Sequence, residues 1–144
     1  GGNQQCFVLG FEALSLALDG LATVISTAGQ APGSALDRLT HAMTEAVRLL
    51  VREKASVTLL LRVRGNSATE RAALERRRDF DARVAGLVSE AQAAGSVRSD
   101  VDARTAARLL FGTVNSVVEW YRGDDADELA RDVIAIGLDG LRVR

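Results

Sequence analysis

The sequence predicts an all-α fold of about six helices packed as a bundle. Apolar residues recur at intervals of three and four in most segments of the chain, which is the period of a helix and not of a strand. One proline in 144 residues, with no Ser/Gly-rich linker and no tandem repeat, leaves little room for anything but compact helices. At this length and 47% hydrophobic composition, the chain can bury one sizeable core and is too short for two ordinary domains.

The first two helices follow from apolar stripes and from the residues that separate them. Apolar residues step by four and three over residues 7–25, which predicts a helix that faces the core. Glycine and proline in residues 28–33 end it, and Ser34 can cap a second helix that runs to about Glu53. On that helix His41 lies opposite the apolar stripe, so we expect it to face solvent.

Residues 55–64 fit two secondary structures. The residues that alternate there as they would in a strand are Val57, Leu59, Leu61 and Val63. We nevertheless predict a short buried helix, because the sequence offers no second strand to pair with and a lone strand would leave its backbone groups unsatisfied.

A long helix is predicted from Ser67 to Gly95. Ser67 and Glu70 form a capping-box pattern at its start. Its first half is charged, and we expect that half to project into solvent. Its second half carries apolar residues at core spacing, namely Phe80, Val84, Leu87 and Ala91.

The last two helices carry apolar residues on more than one face. Asp102 can cap a helix that runs to about Arg122, with an apolar arc of roughly 200° against about 100° for a one-sided surface helix. The final helix opens with acidic residues 124–128, which suit the positive end of its dipole. These two helices therefore need neighbours on two sides.

Few other helices remain to cover these faces, so we predict a homodimer through a four-helix bundle built by the last two helices of each copy. The alternative is that a single chain covers all of this surface. The predicted interface residues are Leu110, Val114, Val117, Tyr121, Leu129, Val133, Ile136, Gly137 and Gly140.

Charge and cysteine content exclude several classes of protein. Eighteen basic and 19 acidic residues give a formal net charge of -1, which makes this chain on its own a poor DNA binder. A single cysteine, Cys6, allows no intramolecular disulfide, and no Cys/His cluster has metal-ligand spacing. We expect a cytoplasmic protein without a metal or cofactor. We also expect no targeting or membrane segment, since no apolar stretch approaches about 20 residues.

No pattern of catalytic residues supports an enzyme. His41 is the only histidine, and with Asp37 and Glu45 it suggests at most a weak metal or acid–base site on one helix. The sequence has no GxSxG, GxGxxG or GxxxxGK[ST] motif. Arginines 76–78 can bind phosphate, but acidic neighbours favour an ordinary solvated face. We therefore predict that the chain is not an enzyme.

Helical bundles build ligand sites among their central helices, and an apolar cavity is expected here. Ordinary core packing is the alternative for each apolar residue, and solvent exposure for each polar one; Trp120 has the dimer interface as a further alternative. The predicted lining residues are Phe11, Met43, Leu59, Arg62, Phe80, Val84, Leu87, Phe111, Asn115 and Trp120.

The run from Glu90 to Gly112 resembles the C-terminal halves of TetR-type transcriptional regulators. In that family a helix ends in a glycine, an Arg-x-Asp-x-Asp loop follows, and the next helix opens the dimerisation pair; Gly95 and residues 98–102 fit this order. Residues 61–66 and 118–122 are also similar to family members, so the resemblance covers most of residues 7–144.

The resemblance implies that residues 7–144 are a regulatory ligand-binding and dimerisation domain. It implies that residues 1–6 are the junction after a helix-turn-helix module, through which alone operator DNA is bound. A small, largely hydrophobic effector, acyl-type or drug-like, then changes the spacing of two such modules in a repressor. The alternative is a packed helical dimerisation module with no small-molecule ligand.

Overall fold

A computed structural model describes residues 2–141 and 143, with residues 2–9 as backbone only. Within these residues it contains six α-helices and no β-strand, which confirms the all-α prediction. The helices are α1 (Gly2–Gln30), α2 (Ala35–Arg52), α3 (Lys54–Leu61), α4 (Ala68–Ala93), α5 (Ala103–Trp120) and α6 (Ala126–Asp139).

The first helix differs most from its prediction. Helix α1 begins at Gly2 and continues to Gln30, so it is longer at both ends than the helix predicted over residues 7–25. The predicted roles of the Cys6 and Phe7 side chains lie outside the described residues. The strand-like residues 55–64 do form a helix over most of their length, as predicted.

Helix α2 lies at the centre of the bundle and packs against each of the other five helices. Its apolar stripe is fully buried, with Leu39, Met43 and Val47 at 0% exposure. The opposite side is only partly wet, because Arg48 donates to Asp127 of α6 at 2.7 Å and also pairs with Glu45. Burial of that apolar stripe is the main interaction that holds the helices together.

Side-chain caps begin four of the helices. Ser34 and Asp37 form a reciprocal capping box on α2, and Ser67 accepts from the Glu70 amide on α4. Asp102 accepts from the Thr105 amide at 3.0 Å. Asp125 does the same for α6. Each bond satisfies a backbone N–H that has no partner within its helix.

These carboxylate caps predict acid sensitivity. Hydrogen bonds from the Ser34 backbone and the Thr105 backbone lower the pKa of Asp37 and of Asp102, respectively, below the ordinary value of 3.8. Their stabilisation is thus complete above that value and is lost as the pH falls through the lowered pKa. Urea unfolding at about pH 5 and about pH 2.5 should show a lower free energy of unfolding in acid. Asp102→Ser, which keeps a cap that does not titrate, should reduce the difference; an unchanged difference contradicts this assignment.

Helix α1 is long and apolar enough, by length and composition over Gly10–Gln30, to cross a membrane. The expectation that no such stretch exists is therefore wrong. The segment also contains the core side of a packed helix, because Leu14, Ala17 and Ile25 are buried against the bundle. Core helices of helical domains pass the same compositional test, so the test alone is weak support for a membrane span.

Candidate functional site

A small void lies among α1, α2, α3, α4 and α5. Its volume is about 30 Å³, which is about the space of one water molecule. Its apolar lining comes from all five helices: Leu21, Ala46, Leu49, Leu50, Val57, Leu60, Leu61, Phe80, Phe111 and Val114. The bundle is thus packed nearly to completion at the position where a ligand pocket was predicted.

Two aromatic rings form one wall of the void. Phe80 of α4 and Phe111 of α5 meet edge to face, with ring centroids 5.2 Å apart and an interplanar angle of 80°. Both rings are buried, at 5% and 6% exposure. The wall follows from helical spacing, because both residues lie on the apolar stripes that α4 and α5 turn toward each other.

The void has a polar edge built by Arg77 and Asp81 of α4 and Asn115 of α5. The Arg77 Nη1 donates to the Leu60 carbonyl oxygen at 3.5 Å. Burial raises the pKa of Asp81, while the charges of Arg77 and Arg108 act in the opposite direction. This edge is therefore a place where charged groups meet an apolar interior.

Sequence reasoning assigned the charged first half of α4 to solvent, which holds for most of it; it missed that the half-buried Arg77 and the exposed Asp81 also line the void. A signal was present. Arg77 lies three residues before Phe80, and Asp81 lies three before Val84, so helical spacing puts both at the edge of the core stripe. In the same half of α4, Arg76 forms an exposed ion pair with Asp19 of α1 at 3.0 Å.

Three of the ten predicted lining residues line the void: Phe80, Phe111 and Asn115. The other seven lie outside the lining of this void. Three are core residues outside the void lining, because their stripes continue along the helices past it: Met43, Val84 and Leu87. The remaining four are exposed, because they point away from the bundle: Phe11, Leu59, Arg62 and Trp120.

A second candidate surface, here called the α5–α6 face, consists of Leu109, Thr113 and Trp120 of α5 with Ile136 of α6. Eleven residues separate Leu109 from Trp120, which returns to the same side of a helix. Leu109, Trp120 and Ile136 are 69%, 58% and 78% exposed. A groove of about 600 Å³ runs between Trp120 and Ile136. These large apolar side chains have little cover within the chain.

The predicted interface residues differ in their burial within the single chain. Five lie in the core of the single chain and have little surface left for a partner: Leu110, Val114, Val117, Leu129 and Val133. Gly137 also faces inward, since a Cβ there would lie 3.3 Å from Leu110 Cδ2. Tyr121 is half-buried, and its hydroxyl donates to the Asp125 carbonyl oxygen. Ile136 and Gly140 are exposed.

The acidic neighbours of His41 in the weak predicted site make structural contacts. Asp37 belongs to the α2 capping box and Glu45 pairs with Arg48. His41 is half-buried, and its Nε2 has no hydrogen-bond partner. Among the residues whose side chains are described, no three His, Cys, Asp or Glu group as metal ligands do.

Comparison with known proteins agrees with this architecture. Residues 32–141 match the tetracyclin repressor-like C-terminal domain. A member of the TetR transcriptional regulator family from Streptomyces coelicolor A3 has 45% sequence identity and a TM-score of 0.86, over 94% of this chain and 70% of that one. Among curated proteins, none matches the sequence.

More distant structures share the fold. A ketosteroid transcriptional regulator of Mycobacterium tuberculosis is 18% identical with a TM-score of 0.80, over 89% of this chain and 68% of that one. A TetR/AcrR regulator from Thermobifida fusca YX-ER1 is 24% identical with a TM-score of 0.78, over 92% and 73%. With its six-helix order and its match over residues 32–141, the chain belongs to the TetR family of transcriptional regulators.

Proposed function

We propose that this chain is the dimerising regulatory domain of a cytoplasmic TetR-type repressor. In this role it binds a small, largely hydrophobic effector among α1–α5 and thereby controls a helix-turn-helix module that binds operator DNA. The void lined by apolar residues from five helices, with one polar edge, is the observation that carries the effector site. No catalytic role is assigned to the chain.

The effector site must enlarge before it can hold a ligand. Ligand pockets occupy about 300–1,000 Å³, and the void is about 30 Å³. Helix α3 is the most movable wall, because it has eight residues and no side-chain cap at its start. At its last turn the Leu59 and Leu60 carbonyls accept from the backbone N–H groups of Arg62 and Val63. These are i to i+3 hydrogen bonds, as in a 3₁₀ turn, and not the i to i+4 bonds of an α-helix. Displacement of α3 breaks these end bonds together with its packing against α1 and the burial of Val57 and Leu60, which ligand binding must offset.

The homodimer is proposed through the α5–α6 face. Its exposed leucine, tryptophan and isoleucine side chains are of the kind that protein interfaces bury at their centres. The Lys54 Nζ donates to the Tyr121 carbonyl oxygen at 3.0 Å, which ties the end of α5 to the start of α3. A contact thus exists between the dimer face and the movable wall of the effector site.

The second candidate function is a packed dimerisation module with no ligand. The small volume of the void favours it, because a close-packed core leaves no space for an effector. The two candidates share the α5–α6 dimer and differ only in what α1–α5 bind.

Hydrogen–deuterium exchange with a panel of small apolar compounds separates these candidates. A compound that binds the native state raises the midpoint of thermal unfolding, and exchange of the same sample shows where it binds. We expect protection in residues 54–61 and 77–81. A panel in which no compound protects these segments would favour the packed module.

A further inference from the structure

All polar groups of the void lie on α4 and α5. Arg77 and Asp81 lie one helical turn apart, and Asn115 lies across from them on α5, whereas every other lining residue is apolar. A ligand in this site meets hydrogen-bonding groups at one end only. The chemistry of that edge therefore selects the head group of an amphipathic molecule.

Among the described residues, Arg77 is the one basic side chain that lines the void, and Asp81 is the one acidic side chain. The exposed Arg108, outside the lining, also acts on the Asp81 carboxylate, so that Arg77 is not its sole counter-charge. A guanidinium presents two parallel N–H donors that match a carboxylate, and an asparagine amide can donate a further hydrogen bond. The edge thus favours a monoanion over an uncharged or cationic head group.

Arg77 also holds the end of the movable wall. Its bond to the Leu60 carbonyl oxygen is 3.5 Å long, at the outer limit for a hydrogen bond. A carboxylate is a stronger acceptor for guanidinium than a neutral carbonyl is. An anionic head group at Arg77 therefore competes with Leu60 and removes one of the bonds at the C-terminal end of α3, where the backbone bonds from Arg62 and Val63 remain.

We propose, resting on the effector site proposed above, that the effector is a small amphipath with an apolar body and a carboxylate head group. Arg77 and Asn115 receive the head group. Asp81 repels the head group because both are anionic, and this limits the affinity of the effector. The anion is favoured only when Arg77 is free to bind it.

Calorimetric titration of the whole chain with decanoate and with decanol tests the head group. We expect decanoate to bind at least about tenfold more tightly than decanol, a difference of about 1.4 kcal/mol. Arg77→Gln should abolish this preference by weakening decanoate binding about tenfold relative to decanol. Asp81→Asn should tighten decanoate binding severalfold, because it removes a like charge. Arg78→Gln, the same change at an exposed neighbouring arginine, is the control and should leave both affinities unaltered.

Equal affinity for the two ligands, binding of neither, or a decanoate preference that survives Arg77→Gln overturns the head-group proposal. The effector site itself is tested separately: any compound that binds there should protect residues 54–61 and 77–81 from hydrogen–deuterium exchange. A carboxylate preference that Arg77→Gln removes and Asp81→Asn strengthens supports the proposal.

Discussion

Ile136→Asp is expected to convert the proposed homodimer into monomers at micromolar concentration. Ile136 is 78% exposed in the single chain and lies beside Trp120 on the groove of the α5–α6 face. In a dimer through that face, the substitution buries an unpaired carboxylate near Glu128 and Asp132, which line the same groove. We expect the dissociation constant to rise on the order of a hundredfold or more, equivalent to about 2.7 kcal/mol. Sedimentation velocity over a concentration series measures it.

The matched control is Leu16→Asp. Leu16 is also an exposed apolar residue, at 48%, but it lies on α1 outside the α5–α6 face. This variant should remain dimeric, and circular dichroism should show both variants helical. If Ile136→Asp sediments as the wild type does, or if the wild type is itself monomeric, the assigned interface is wrong.

Phe111→Ala is expected to cause the largest loss of stability of any single substitution considered. Phe111 is 6% exposed, packs edge to face on Phe80 and lines the void. Its removal adds a phenyl-sized cavity beside the existing void, which costs about 3–5 kcal/mol in packed cores. For a chain of this size, the midpoint of thermal unfolding should fall by about 10 °C.

Phe11→Ala makes the same chemical change at an exposed site. Phe11 is 52% exposed, so we expect a loss well under half that of Phe111→Ala. Urea unfolding at one fixed protein concentration compares the two, since dimer stability depends on concentration. Similar losses for the two variants would mean that Phe111 does not contribute to the core as the structure shows.

Helical spacing predicted which segments are helices and which stripe of each is apolar. It could not predict which half of a wide apolar arc faces inward. On α5 the arc holds both Leu110, which is buried, and Leu109, which is 69% exposed. The two have the same chemistry and adjacent positions, and only the direction from which α2 and α4 approach α5 distinguishes them. The α5 residues predicted for the interface therefore came mostly from the half of the arc that faces the core of the single chain.

Helical spacing also could not predict which neighbours Gly137 and Arg77 would face. We expected Gly137 to allow the close approach of a second chain. Leu110 and Met43 of the same chain lie against it instead, because α6 packs on α2 and α5. Arg77 stands in a run of three arginines, and sequence alone gave each the same solvated environment. Only Arg77 lines the void, where its guanidinium donates to the Leu60 carbonyl oxygen of α3. Tertiary contacts, which no local pattern encodes, decide both cases.

Some of the residues predicted to line a cavity do line the void, and others do not. Phe80 and Phe111 were identified because aromatic residues on core stripes are the default walls of a helical cavity. Trp120 was assigned to the cavity for the same reason, yet it lies at the last residue of α5, beyond the turn that the core covers. Its Nε1 donates to Ser116 of the same helix, and its ring remains exposed.

Native mass spectrometry of the chain purified from cells tests the central claim most directly, because it reports the assembly and any retained small molecule in one spectrum. The account predicts a dimer that carries up to one small amphipathic molecule per chain, identified after release under denaturing conditions. A dimer that stays without added mass even after incubation with decanoate and the apolar panel would contradict the effector site and leave a packed dimerisation module. A monomer would contradict the α5–α6 assembly itself.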